Sequence, residues 1–213
     1  EPQEEGIKKY SVSVSALSGE VTDKNNRKTF FVKVLKNKLK VSIVAGAPTH
    51  DVSFVKNALL EDGNIDVKTF VQKMDGDFYE GYLDTKQLEE SECIYLIGFP
   101  QSNSKAGVID AIKNVIVSKN KPVFFIADLN LDYGKLKTLE PVLPFTVKQI
   151  SGNEILVNPN ITSAQLRSPV MKLSGSDEDM NIWNQLPPVF RSETIFEKKA
   201  ESEQRIYVQD QEA

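Results

Sequence analysis

The sequence predicts a doubly wound parallel α/β domain, preceded by a β-hairpin and followed by an irregular, β-containing extension. Three observations predict it. Four near-continuous apolar runs, in "LKVSIVAGAP", "NIDVKTFVQ", "SECIYLIGFP" and "KPVFFIADLNL", are separated by segments of which two show clear helical periodicity. That alternation is the pattern of a parallel sheet buried on both faces and joined by right-handed crossovers. Ahead of them, two segments alternate with period two, as half-exposed strands do. With 213 residues, 40 % of them hydrophobic, the chain can bury one full core and carry a small appendage.

The elements follow in order. "KKYSVSVSA" puts Tyr10, Val12, Val14 and Ala16 on one face, and "KTFFVKVLK" sets Phe31, Lys33 and Leu35 against Phe30, Val32 and Val34. Gly19, Asp23, Asn25 and Asn26 supply turn chemistry between them, so residues 1–37 read as a hairpin unit. A lone hairpin is marginal in water and must pack on something. Residues 38–213 form the α/β unit. In "DVSFVKNALLED", Val52, Val55 and Leu59 recur at helical spacing behind Asp51, an expected N-cap. In "SKAGVIDAIKNVIVSKN" the apolar side is Val108, Ala111, Ile112, Val115 and Ile116. The fourth strand, "KPVFFIADLNL", reads as buried. Beyond Tyr133, "FTVKQI" and "NEILVNP" read as a short antiparallel pair, residues 176–200 as irregular around Pro187 and Pro188, and "QRIYVQD" as a closing edge strand.

Composition narrows the functions. A net charge of -4 argues against a nucleic-acid footprint, and no apolar run approaches the roughly 20 residues that span a bilayer. The single cysteine, Cys93, excludes an internal disulfide and a multi-cysteine zinc site. His50 is the single histidine, so any Ser/His/Asp or Cys/His mechanism would have to use it. The opening "EPQEEG" lacks a Met and a signal peptide, and reads as a mature or excised piece.

In an open parallel sheet, ligands bind beyond the carboxyl ends of the strands. Here those ends are "AGAPTHD", "GFPQSNS" and "ADLNLDYG", three loops expected to converge. They offer Thr49, His50, Gln101, Ser102 and Asp128 as candidate ligand-binding residues, with Asp51, Asn130 and Asp132 nearby. His50 and Asp51 could act as a base and its orienter, although adjacent residues rarely face each other. Asp128 and Asp132 could hold a hard cation with Asp75 or Asp77, but "MDGDF" belongs to another loop, and no metal site is assigned. "AGAP" has the spacing of neither a dinucleotide fingerprint nor a P-loop, and no cofactor is expected. Cys93 precedes a buried strand, far from its carboxyl end, and reads as an inert core thiol. Asn160 begins an "NIT" acceptor pattern that matters only in a glycosylating pathway.

These residues resemble the class I glutamine amidotransferase-like fold, a flavodoxin-like α/β sheet whose nucleophilic Cys follows the fourth strand at a sharp turn. The matching stretch, "VFFIADL", places Ala127 where that family has its nucleophile and Asp128 next to it. "GFPQSN" resembles the family's Gly-Gly-Pro turn, with Phe99 in place of a glycine, and no histidine follows His50 to serve as the partner base. A methyl group cannot attack a carbonyl, so the resemblance implies a site without the catalytic triad. In layout the chain resembles ectodomains of large bacterial membrane proteins, in which an immunoglobulin-like module precedes such a domain. Gly19, Glu20, Asn25 and Asn26 match the closing hairpin of that module, and Leu186, Pro187, Pro188 and Val189 a late segment of the α/β domain.

The resulting expectation is a non-catalytic scaffold or interaction domain, an extracytoplasmic part of a multidomain bacterial membrane protein. Its partners would be neighbouring domains or other proteins, and the hairpin edges could pair two copies into a homodimer. The alternative is a small-ligand sensor using the carboxyl-end loops, and a third reading is a hydrolase built on His50 with Asp51 or Asp128.

Overall fold

A computed structural model describes residues 6–15, 18–19, 26–34, 38–174, 179–202 and 207–209. The expectations for Ala16, Glu20, Asp23, Asn25 and Leu35 lie outside the described residues. The first two strands, β1 (Gly6–Ser13) and β2 (Arg27–Val34), form an antiparallel ribbon in register from Gly6↔Val34 to Ser13↔Arg27. Tyr10 and Phe30 face each other across it with stacked rings 5.8 Å apart.

The central unit runs β3 (Leu39–Ala45), α1 (His50–Glu61), β4 (Ile65–Val71), α2 (Thr85–Glu90), β5 (Cys93–Ile97), α3 (Ala106–Ser118) and β6 (Val123–Ile126). The four strands make one parallel sheet in the order β4-β3-β5-β6. Period-two alternation within these strands feeds both faces. Ile43, Ala45 and Ile97 pack with Val52, Val55 and Leu59 of α1, while Val44, Ile94 and Leu96 pack with Ile109, Ile112, Val115 and Ile116 of α3. Helices therefore cover both faces of the sheet.

Thr49, rather than Asp51, caps α1: its hydroxyl accepts from the Val52 N–H at 3.4 Å, which leaves Asp51 in the first turn. The short helix α2 was not apparent from periodicity, because only Leu88 of its six residues is buried. The expectation of a buried fourth strand needs correcting. β6 lies at the sheet edge, where Phe124 keeps 52 % of its surface exposed and leans on Tyr95 at 4.9 Å.

After β6 the chain forms α4 (Tyr133–Leu136), which runs into a 3₁₀ segment (Lys137–Val142). It continues through β7 (Phe145–Gln149), β8 (Glu154–Asn160), α5 (Asp179–Asn184), β9 (Val189–Ser192), β10 (Ile195–Lys198) and β11 (Tyr207–Gln209). The expected β7–β8 pair does not form. β7 pairs with β10, and β8 lies between β9 and β11, all antiparallel. The segment between β7 and β8, residues 150–153, instead interrupts one long ribbon, in which residues 145–157 run against residues 189–198. Thr194 pins the interruption: its hydroxyl accepts from the Ser151 N–H at 3.1 Å and donates to the Ser151 carbonyl at 3.2 Å. A bulge and a hairpin turn use the same small, polar residues, so composition alone could not separate them. The stretch expected to be irregular thus holds helix α5 (Asp179–Asn184) and the strands β9 (Val189–Ser192) and β10 (Ile195–Lys198), and β11 takes the edge position expected for "QRIYVQD".

Candidate functional site

The three loops at the carboxyl ends of β3, β5 and β6 do meet. The Gly46 N–H donates to the Ile97 carbonyl at 3.0 Å, and the Gly98 N–H to the Ile126 carbonyl at 2.8 Å, which carries the ladder one step past the strands. Gly46 has no room for a side chain: a Cβ there would lie 2.6 Å from Gln101 Cγ and would overlap the Gly98 carbonyl oxygen. Gly98 adopts φ +54°, and the carboxylate of Asp128 fills the space where its Cβ would be. Glycine at both positions lets backbone and carboxylate pack directly.

Beneath the loops runs a buried polar chain. Ser104 Oγ donates to Gln72 Oε1 at 2.5 Å and accepts from the Gln101 N–H at 2.9 Å, while Gln72 Nε2 donates to the Gly76 carbonyl at 3.1 Å. Lys135 Nζ donates to the carbonyls of Ser102 (2.5 Å) and Ser104 (2.7 Å), tying the start of α4 to the β5 loop. On the exposed side, Lys105 pairs with Asp77 at 2.5 Å, and Asp75 accepts from the Asp77 N–H at 2.9 Å.

The five candidate residues therefore separate. Thr49 and His50 border a depression of about 460 Å³, together with Lys56, Thr69 and Glu80. Asp128 borders an open cleft of about 1580 Å³. Gln101 and Ser102 line neither: Gln101 is buried with its Nε2 lacking a hydrogen-bond partner, and Ser102 is exposed and engaged through its carbonyl. His50 and Asp51 face different depressions, because Asp51 borders the cleft with Asp128.

The other wall of the cleft comes from the interrupted ribbon, including Ser151, Asn153, Arg191 and Glu193, with Tyr133 and Phe196 adding aromatic surface. Asn153 Nδ2 donates to Glu193 Oε2 at 2.9 Å. None of these ribbon residues stood out in the sequence. The usable signal was the break of alternation at "QISGNE" opposite "RSET".

Burial raises the pKa of Asp128, and the nearby Asp51 carboxylate raises it further, against a lowering by the hydrogen bond from the Asn130 N–H. Burial likewise raises the Cys93 thiol, at the opposite end of β5 from the loops. Ala127, at the tip of β6, is exposed and borders the cleft. Among the described residues, no group of three or more His, Cys, Asp or Glu converges as metal ligands would. The cleft is lined by carboxylates, hydroxyls, an amide and a guanidinium together with apolar side chains. Comparison with protein-family models, curated proteins and solved structures finds no match for the chain.

Proposed function

We propose that this chain is a non-catalytic interaction domain, an extracytoplasmic part of a multidomain bacterial membrane protein, built on a flavodoxin-like sheet of the glutamine amidotransferase type. The strand order β4-β3-β5-β6, with α1 on one face and α3 on the other, is the first part of the flavodoxin-like order and supports that fold. The observation that carries the functional reading is Ala127. It stands at the tip of β6, open to the cleft, where the resemblance expects a nucleophilic thiol. Cys93 lies at the wrong end of its strand to replace it, and His50 faces a different depression. The extracytoplasmic placement and the membrane-protein context rest on the resemblance in layout alone. No helix among the described residues is long and apolar enough to cross a membrane.

The test is turnover on a panel of amides, esters, phosphate esters and glutamine. No turnover is the expected result. Hydrolysis that disappears in His50→Ala would refute the reading and make the chain an enzyme.

A second reading, a small-ligand sensor, is favoured by the cleft beside Asp128. A thermal-shift screen against sugars, amino acids, nucleotides and divalent cations addresses it. A ligand at about 100 times its Kd adds about 2.7 kcal/mol, roughly 5–10 °C for a chain of this size. A shift lost on Asp128→Asn supports the sensor, and a flat panel leaves the interaction domain.

A further inference from the structure

The cleft beside Asp128 concentrates negative charge. Five of its lining residues are acidic, Asp51, Asp128, Asp132, Glu154 and Glu193, against a single cation, Arg191. Strand alternation sets Glu154, Phe190 and Ser192 on one face of the β8–β9 pair and Arg191 on the other, so the guanidinium projects away from the face that carries Glu154. None of the five acidic residues forms an ion pair among the described residues. Asp51 and Glu154, one on each wall, accept no side-chain hydrogen bond from them either.

Acidity alone is what a solvated face shows, but the same cleft also exposes apolar surface. Leu129, Ile150, Phe190 and Phe196 line it and keep between 38 % and 69 % of their surface exposed, and the Tyr133 ring stands 5.9 Å from that of Phe196. Exposed aromatic and aliphatic side chains gathered in a concavity are what the body of an organic ligand covers.

We propose that the cleft binds a linear aliphatic polyamine, a chain of ammonium groups separated by methylene runs. A cleft lined by one sign of charge concentrates its counter-ions. The ammonium groups would meet carboxylates on both walls, and the methylenes would cover Leu129, Ile150 and the aromatic rings. An ammonium over a ring face adds attraction of its own. A single metal ion is the poorer match, because among the described residues no three His, Cys, Asp or Glu converge as its ligands. An anion would meet like charges, and a neutral sugar would leave them uncompensated.

This inference deepens the small-ligand reading of the cleft and rests on it. Calorimetric titration of the chain with spermidine at constant ionic strength tests it, with Mg²⁺, tetramethylammonium and pentalysine as comparison cations. The expected result is saturable spermidine binding at one site, ~10-fold or more tighter than Mg²⁺ or tetramethylammonium. Asp51→Asn/Glu154→Gln, which removes one carboxylate from each wall, should weaken it by ~10-fold. Phe190→Ala, at an exposed position, should weaken it by ~3-fold or more. Glu61→Gln/Glu92→Gln removes the same charge at exposed positions outside the cleft and should leave binding unchanged. Melting curves without ligand check that each variant is folded, and Phe190→Ala carries the test if the double cleft variant is not. Spermidine binding no tighter than Mg²⁺, or equally lost in the Glu61/Glu92 variant, would overturn the proposal. So would pentalysine binding without spermidine binding, which would make the cleft a site for a basic protein segment. A sugar, nucleotide or amino acid whose binding is lost on Asp128→Asn, with spermidine inert, would overturn the polyamine and keep the small-ligand reading. No binding by any of them would remove both.

Discussion

Asp128 sits half-buried beside Asp51, and its carboxylate rests where a Cβ of Gly98 would be. Because burial and Asp51 raise its folded pKa above the unfolded value, the folded state holds its proton more tightly. Stability from this group therefore grows as pH falls through the folded pKa, and at neutral pH the charged form costs stability. Asp128→Asn, which keeps an oxygen for the Asn130 N–H, should raise Tm at pH 7. The gain should vanish below the ordinary carboxylate pKa of about 3.9, where wild type is protonated in both states. A Tm-against-pH series on both proteins measures this, and a constant difference across the range would contradict it. Gly46→Ala should destabilise by ~1–3 kcal/mol, because the new methyl meets Gln101 and the Gly98 backbone inside a packed loop. Urea denaturation reads that loss directly.

At the scale of elements, the helices and the ribbon were legible to different degrees. Val52, Val55 and Leu59 specify the buried face of α1, and the four residues buried on α3 include Ile109, one position from the expected stripe. The ribbon of residues 145–157 and 189–198 depends on a long-range contact that neither segment announces. Thr194, fully buried, holds the bulge through Ser151. Thr194→Val keeps the shape and removes the hydroxyl, leaving the Ser151 N–H and carbonyl without that partner, at a cost of ~1–3 kcal/mol. Hydrogen exchange should quicken at the amides of β7 and β10 before it does in the parallel sheet. Unchanged protection there would show that the bulge holds without its hydroxyl pin.

For the whole molecule, the parallel sheet is the cooperative unit, with strands buried between α1 on one side and α3 on the other. Cys93, half-buried, reports on it from the first residue of β5, its thiol pushed further up from the ordinary range by burial. Labelling by a thiol reagent at pH 7 should therefore be slow in the native protein, and complete in denaturant, because the thiolate is the reactive form. The native rate should rise with urea concentration as stability falls, as global opening requires. Fast labelling that ignores urea would place the start of β5 in a locally opening region.

By itself the sequence determined the order of elements in the central unit, since each strand and long helix carries its own periodicity and each crossover joins neighbours in the chain. It also determined that the carboxyl-end loops meet, because a parallel sheet brings those ends to one edge. Tertiary structure decided what those loops present. Thr49 and His50 turned to one depression and Asp128 to another, while Gln101 folded inward onto Gly46. Side-chain direction at a strand end depends on which neighbour fills the remaining space, and that neighbour is distant in sequence. The pairing of β7 with β10 and β8 with β9 was decided in the same way, by backbone registers that close only once the chain has returned.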